Sequence, residues 1–516
     1  MLPINISQYF DQRVQSCPEG VAIVDGEQRV TNKQLYVNSL VVAKQISHLL
    51  KKKNVIIAVY LPKSVQSVVA NIGILYSANA YMNLDVKNPK ERIQNIISQI
   101  RPCLIITSTA MKGTLPQNDI PLLLIDGLLS ESGETREFAD SEMQEILGLR
   151  KKIIDTDPLC VINTSGSTGT PKGVILNHRS FIDFTARVVE LELVSGNEVV
   201  GSLSPLVFDI YSFELCMLMV MGSTLVLIPD ALAAFPVRLL ELLSRESVTF
   251  LFWVPTIMVN IANMDILNSV KLPALRMVWF AGEVFPTAKF NYWYKMLPQT
   301  TFINFYGPIE ITLDCTYYVV NRPLHDDEPI PIGKPFPNTD VVIITDDGRR
   351  AKRGEEGELC VRGSSLSMGY YNDPEKTALA FVQNPLNTSY PELIYRTGDI
   401  VYENDFGDIV YKGRKDSMIK HHGYRIELPE IEHAVISTRG DIKNCCAIYD
   451  KAAQQIVLFF ESANDIESSE LKKSLLQQLP RYMLPSIYIR TSELPRNVNG
   501  KIDRLRLNDE AQLNHK

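Results

Sequence analysis

The ten residues from Thr164 to Gly173, TSGSTGTPKG, hold three glycines, two serines, three threonines and one lysine, Lys172. Glycine lets a backbone come close to a ligand and turn its amides inward. The hydroxyls add hydrogen-bonding groups, and a lysine adds a point charge. Together they suit a polyphosphate. The segment lies between two apolar runs, Leu159 to Ile162 and Gly173 to Leu176, which places it on a loop beside a buried strand and not in a flexible linker. It is not a Walker loop, because no Gly-Lys-Ser/Thr follows a first glycine at the required spacing.

Such a loop needs a scaffold, and the flanking sequence supplies an α/β one. Asn54 to Tyr60 reads as a strand, and Ser64 to Ala78 follows with apolar residues at helical spacing (Val65, Val68, Val69, Ile72, Leu75). Further strands are expected at Cys103 to Ile106, Leu122 to Ile125, Thr224 to Ile228, Phe250 to Val254, Met277 to Ala281 and Phe302 to Phe305. Helical stretches lie between many of them, which favours largely parallel sheets. After residue 320 the pattern changes. Five prolines between Arg322 and Asn338 imply an extended loop, and short strands with glycine turns follow at Val341 to Thr345, Glu358 to Arg362 and Ile409 to Lys412. Beyond Asp416 a separate α+β unit is expected, with strands near Cys445 to Ile448 and Ile456 to Phe460 and a helix near Glu470 to Gln478.

Composition narrows the function class. The 516 residues are too many for one ordinary core. A hydrophobic content of 45%, a charged content of 22% and a net charge of −7 describe an ordinary soluble protein with nothing to attract nucleic acid or an anionic membrane. No secretory signal is visible, and the longest apolar stretch, Leu215 to Ile228, is interrupted and too short to span a bilayer. The eight cysteines and seven histidines show no metal-ligand spacing and read as groups of a reducing, cytoplasmic compartment.

Six further motifs follow the same order as those of a known family: LYSANAYMNLD (Leu75 to Asp85), NFYGPIE (Asn304 to Glu310), GELCVRG (Gly357 to Gly363), YRTGD (Tyr395 to Asp399), GRKDSMIKHHGYRIE (Gly413 to Glu427) and NGKIDR (Asn499 to Arg504). With the Thr164 loop they resemble the adenylate-forming superfamily, and within it the amino-acid adenylation domains of nonribosomal peptide synthetases. The resemblance runs from Thr31 to Lys501, nearly the whole chain. It implies a large N-terminal domain, 1–415, with parallel-rich sheets and a small β-barrel-like subdomain. A small mobile α+β C-terminal domain, 416–516, would complete it.

The resemblance also implies a two-step reaction. A carboxylate attacks the α-phosphorus of ATP, giving an acyl-adenylate and pyrophosphate; a thiol then displaces AMP. By matching position, Lys501 is the catalytic lysine, Lys172 the phosphate-loop lysine and Glu310 the Mg²⁺-coordinating carboxylate. Thr164, Ser165, Gly166, Ser167, Thr168 and Gly169 would hold the phosphates. Tyr306 would stack on adenine, with Gly282, Glu283, Asn304 and Gly307 near the base. Asp399 would accept the ribose hydroxyls, with Arg414 beside ribose and phosphate. Asp416 matches the hinge about which the small domain turns, and Gly423 the strand that lines the thiol tunnel once Lys501 withdraws.

Asp209 matches the acid that pairs with the substrate's α-amino group, and its place before Ile-Tyr-Ser-Phe-Glu also suits a helix N-cap. The remaining pocket positions are Ile210, Phe213, Phe252, Trp279, Ala281, Phe305, Leu313 and Asp314. Four large aromatics leave room for proline or a small aliphatic side chain. Asp314 could instead bind a hydroxyl or amine on the substrate, or hydrogen-bond to protein only. The sequence departs from the family at Ile309, where a threonine is usual, and at His421-His422, which could take a proton from the thiol or be solvent-exposed loop residues. His178 reads as structural. No carrier-domain or condensation motif is seen, so the expectation is a free-standing enzyme that passes its aminoacyl group to phosphopantetheine on a separate carrier protein, or to coenzyme A. An acyl- or aryl-coenzyme A ligase and a non-catalytic nucleotide-binding homologue are the competing readings.

Overall fold

The computed structural model describes residues 3–132, 138, 140–164, 171–415, 418–439, 441–462, 464–496 and 502–513. Apolar runs bounded by turn residues become the strands of two large sheets. In the first, Leu122–Leu124, Leu104–Thr107, Ile56–Tyr60, Ala80–Asn83 and Pro158–Thr164 lie parallel in that order, and Lys172–Asn177 closes the edge antiparallel. The second has nine strands around a parallel centre of Thr301–Tyr306, Met277–Phe280, Phe250–Trp253, Val199–Ser202, Thr224–Leu227 and Val21–Asp25.

Strand side chains alternate between faces, so each sheet feeds two cores. Ile57 and Val59 share a core with Val200, Leu225, Phe250 and Phe252 of the other sheet, whereas Ile56, Ala58 and Tyr60 face an outer core with Ile93 and Ile97. Leu251, Trp253, Val278 and Phe280 turn outward against Leu239, Met258, Phe290 and Trp293 of the covering helices. The helices Asn32–Leu50 and Val65–Tyr76 contribute to the shared core, which explains why Val68, Val69, Ile72 and Leu75 are all buried. The first of these helices starts at a capping box: Gln34 N donates to Thr31 Oγ1 at 3.2 Å, and Thr31 N donates to Gln34 Oε1 at 2.9 Å.

The proline-rich run pairs through the short strand Lys334–Pro335 and a single bridge between Gly333 and Ile409. After it, Thr339–Ile344, Gly357–Gly363, Leu393–Glu403, Phe381–Gln383 and Ile409–Arg414 form a five-stranded antiparallel sheet. The C-terminal part opens with the hairpin Met418–His421 and Tyr424–Glu427, followed by the helix Leu428–Thr438 and a three-stranded sheet of Ile442–Asp450, Gln455–Ser462 and Ile487–Thr491. It has its own core, which includes Ile426, Ile431, Val435, Leu458 and Leu471. The helix expected at Glu470 to Gln478 is Ser468–Leu475; single turns carry the chain on to Leu479, where Pro480 ends them.

Ligands of open parallel sheets bind beyond the carboxyl ends of the strands. Here those ends converge: Leu84, Thr164, Val254, Ala281 and Gly307 lie at or just after strand termini and line one cleft. Gly307 permits the tightest of these turns. A Cβ on it would stand 2.2 Å from Leu313 O and 2.5 Å from Asp314 Cα, both backbone atoms. Gly307→Ala is therefore expected to cost about 2 kcal/mol by overpacking. The readout is a lower urea midpoint at unchanged slope; an unaltered midpoint would contradict this close approach.

Candidate active site

The cleft has a volume of about 1220 Å³ with its open mouth included. The large domain contributes Thr164, Asp209, Ile210, Phe252, Ala281, Gly282, Gly307, Leu313, Asp314, Asp399 and Arg414 to its wall. The small domain contributes Met418, Lys420, Gly423, Tyr424 and Arg425. Ser165, Gly166, Ser167, Thr168, Gly169, Asp416 and Lys501 lie outside the described residues.

One end of the cleft is a polar shelf. Asp399 and Arg414 are cross-strand partners in the five-stranded sheet. Arg414 Nη1 donates to Asp399 Oδ1 at 2.8 Å and to Thr397 O at 3.0 Å. The Tyr306 hydroxyl donates to the other Asp399 oxygen, which fixes the ring, and Lys420 Nζ lies 5.9 Å from the ring centroid. Asn304 sits behind this wall, its amide donating to Pro331 O at 2.8 Å. Glu283 ties elements together: Oε2 accepts from Thr256 N and Oγ1 at 3.0 and 2.6 Å, and Oε1 accepts from Gly423 N at 2.6 Å. Gly423 has φ +79°, and a Cβ there would meet Val254 Cγ1 at 2.8 Å. A glycine is what allows the small-domain hairpin to enter. Tyr424 then packs edge-on against Phe208 and stacks on Tyr482, with centroids 5.1 and 3.6 Å apart.

Beside the shelf is a charge cluster. Glu310 is fully buried on the turn Ile309–Ile311. Tyr370 Oη donates to its Oε1 at 2.8 Å, and Arg425 Nη1 donates to Oε1 and Oε2 at 3.0 and 2.7 Å. Burial alone would raise the Glu310 pKa, but the Arg425 charge outweighs it and holds the carboxyl down at about 2. Lys172 Nζ lies 3.9 Å from Glu427 Oε1 and 5.5 Å from the Tyr370 ring centroid. Burial, and then the nearby Arg425, lower its pKa.

The other end is a small chamber with an aromatic floor. Phe213 stacks on Trp279 with centroids 5.4 Å apart, and Trp279 touches Phe305 and Phe252 at 4.3 and 5.5 Å. Phe213, Trp279 and Phe305 lie behind the wall and leave Phe252 to line it. Trp279 Nε1 donates to Leu193 O at 3.2 Å, so the indole is fixed. Asp209 is the first residue of the helix Asp209–Cys216, with Phe208 in the cap position, and Ile210 N donates to its Oδ1 at 2.9 Å. Burial pushes its pKa up to about 6, against the pull of Lys420. Asp314 enters from a strained loop in which Thr312 and Leu313 have φ +50° and +64°. Its carboxyl accepts no hydrogen bond from the described residues, and burial together with Asp209 pushes its pKa well up. Two acids thus face one small space.

Sequence reasoning missed the charges that the small domain delivers. Lys420, Arg425 and Glu427 all come from the hairpin, and its register pairs Lys420 with Arg425. The signal was present: in GYRIE, Arg425 and Glu427 alternate with apolar Tyr424 and Ile426, which puts the two charges on one strand face. Ile309 lines the cleft beside Glu310. His421 is buried off the cleft wall, its Nδ1 3.3 Å from Tyr449 Oη, and burial lowers its pKa to about 4. His178 is buried and its Nδ1 accepts from Ile6 N at 3.4 Å, as a structural residue would.

Comparison with known proteins agrees with this geometry. The profile described as AMP-binding enzyme matches residues 10–371. Zwittermicin A synthase ZmaJ of Bacillus cereus is 31% identical over 97% of this chain and 94% of its own length. Bacitracin synthase 1 of Bacillus licheniformis is 31% identical over 97% of this chain, which spans 9% of that protein. Among solved structures, the Vibrio cholerae adenylation domain AlmE, in complex with glycyl-adenosine-5'-phosphate, superposes with a TM-score of 0.83 at 22% identity, covering 99% of this chain and 98% of AlmE. PA1221, a nonribosomal peptide synthetase protein with adenylation and carrier domains, gives 0.81 at 23% identity over 98% of this chain and 84% of its own. The structural likenesses establish the shared fold. The profile match over most of the chain and the likeness to zwittermicin A synthase ZmaJ along nearly its whole length make this protein a member of the AMP-binding enzyme family, an adenylate-forming ligase of the nonribosomal-peptide adenylation type.

Proposed function

We propose that this protein activates a small α-amino acid with a short hydroxyl- or amine-bearing side chain. The activated aminoacyl group then passes to the phosphopantetheine thiol of a carrier protein. The observation that carries this reading is that Asp209 and Asp314, near enough to interact electrostatically, both line the cleft with Phe252, which Phe213, Trp279 and Phe305 back. Asp209 lines the cleft with a carboxylate that its surroundings desolvate, and such a group gains most from a fixed cation, which suits an α-ammonium. Asp314 has no protein hydrogen-bond partner among the described residues and suits a side-chain donor. Phe252 and the rings packed behind it form a fixed apolar surface that suits a short side chain. AlmE, which shares the fold, holds the adenylate of the smallest amino acid.

In the first step the substrate carboxylate oxygen attacks the α-phosphorus of ATP, the bond to the bridging oxygen breaks, and pyrophosphate leaves. Tyr306 flanks the adenine, with Gly282 and Gly307 beneath it. Asp399 accepts the ribose hydroxyls and Arg414 holds Asp399 in place. The Thr164 loop and Lys172 cradle the leaving phosphates, and Lys501 bridges the two anions as their charges merge. Glu310, a carboxylate kept ionised at pH 7, has the chemistry to hold a hard cation when Arg425 is elsewhere. Magnesium there would neutralise the triphosphate. In the second step the small domain turns about Asp416, Gly423 lines the thiol's path, and thiolate sulfur attacks the acyl carbon as AMP departs.

The test is amino-acid-dependent ATP–pyrophosphate exchange over a panel of glycine, alanine, serine, diaminopropionate, proline and aryl acids. Strong exchange is expected with a small polar amino acid; exchange with aryl or fatty acids alone would sink the role given to Asp209. Asp209→Ala should lower kcat/KM for the best substrate by about 100-fold or more, since it leaves a buried ammonium unpaired. Asp314→Ala should spare exchange but shift preference from the polar amino acid toward alanine, by roughly tenfold or more.

A pH profile gives a further check. Asp209 is protonated below about 6, with Lys420, Glu310 and Asp314, whose own pKa is pushed well up, facing it. An ammonium binds the ionised form, so binding must expel that proton. The logarithm of kcat/KM should fall with unit slope below about pH 6 and be flat above it. A profile flat to pH 5 would contradict this assignment.

A further inference from the structure

The hairpin of the small domain turns through two residues. Its ladder pairs His421 with Tyr424, and His422 and Gly423 between them have φ +51° and +79°, the pattern of a type I′ turn. The Gly423 N–H therefore lies outside the ladder and needs an acceptor elsewhere. It finds one on the other domain, donating to Glu283 Oε1 at 2.6 Å. The second oxygen of the same carboxylate accepts from Thr256 N at 3.0 Å and from Thr256 Oγ1 at 2.6 Å. Thr256 stands in the first turn of the helix Pro255–Asn263, where an amide has no acceptor within the helix. Donors from two domains thus converge on one carboxylate. Glu283 itself follows the strand Met277–Phe280, and His421 Nδ1, 3.3 Å from Tyr449 Oη, braces the hairpin from its own domain.

We infer that Glu283 is a positioning residue for the transfer step, holding the hairpin turn at the cleft through the Gly423 amide. The inference rests on the two-step reaction proposed above, in which Gly423 enters at the second step. The Thr256 side of Glu283 is satisfied within the large domain. The Gly423 side is satisfied only by the hairpin. A Cβ on Gly423 would meet Val254 Cγ1 at 2.8 Å, so the turn cannot carry a side chain and is steered by its backbone. A hydrogen bond to an ionised acceptor is roughly twice as strong as a neutral one. Without it a smaller fraction of chains holds the turn in place, and transfer slows by that fraction. Adenylate formation, which does not use the seated turn, changes less. Glutamine in place of Glu283 keeps one acceptor oxygen for two amides, so it serves the turn or the helix but not both.

The experiment uses the full chain and compares Glu283→Ala and Glu283→Gln with wild type. One assay is amino-acid-dependent ATP–pyrophosphate exchange; the other is single-turnover transfer from the enzyme-bound adenylate to free pantetheine. Glu283→Ala should slow transfer about tenfold or more beyond any slowing of exchange. Glu283→Gln, nearly isosteric, should show the same split to a smaller degree, and it serves if the alanine variant fails to fold. A residue that only caps the helix, or only supports the base site, would lower both activities alike or exchange more; either result overturns the inference. Without substrates, hydrogen–deuterium exchange of peptides covering 418–427 should rise several-fold in Glu283→Ala. Unchanged deuterium uptake there overturns the inference whatever the activities show. A wild type that forms no adenylate with any acid would overturn the functional reading, and the deuterium measurement would still decide whether Glu283 seats the turn.

Discussion

Charges buried at the ends of parallel strands need partners, and that requirement organises this protein. Glu310 has no exposed surface, and taking an ion out of water costs several kcal/mol unless a counter-charge compensates. In the present arrangement the counter-charge comes from another domain. Arg425 meets Glu310 across 115 residues of sequence, and Arg92 on the large domain meets Glu430 on the small one, both largely buried. Buried ion pairs thus join the apolar contact of Tyr424 with Phe208 in holding the interface between the domains. In the reaction proposed above the small domain leaves and returns, and ionic ligands are suited to take over contacts of this kind.

The substrate end follows a different constraint. Its depth is set by rings that hold one another: Phe213, Trp279, Phe305 and Phe252 form one contact set, with the Trp279 indole fixed by a backbone hydrogen bond. Its polarity is set by a loop that bears strain. Two consecutive left-handed residues cost on the order of 1–3 kcal/mol each. The close turn at Gly307 and the bond from Cys315 N to Tyr306 O at 2.8 Å enforce them. The result is Asp314 delivered into a space that already contains Asp209. Rigid apolar floor and strained polar wall are the two features on which the proposed small, hydrogen-bonding substrate rests.

Much of this was legible in the sequence. Strand positions followed from apolar runs, and the buried helix Val65–Tyr76 from its spacing. The two halves of the cleft wall, Asp209 to Ile210 and Leu313 to Asp314, were recognisable by motif, and the structure brings them together although they are far apart in the chain. What motif reading could not supply was direction. It counted four aromatics around the substrate without showing that three stand behind the wall. It offered a helix cap only as the structural alternative for Asp209, and Phe208 occupies that cap while Asp209 opens the helix. It placed Asn304 and Glu283 near the base without showing that their side chains bond to Pro331, Thr256 and Gly423. Inter-domain pairs such as Arg425 with Glu310 were illegible because nothing local in either segment specifies the partner.

The most direct measurement is the mass of the adenylate itself. The protein would be incubated with magnesium ATP and a mixture of amino, aryl and short fatty acids, then denatured, and the released nucleotide identified by mass spectrometry. The expected product is the AMP anhydride of one small, polar-side-chain α-amino acid, formed near one equivalent per chain. An aryl- or acyl-AMP lacking an α-amine, or no adenylate at all from a chain that still binds ATP, would contradict it.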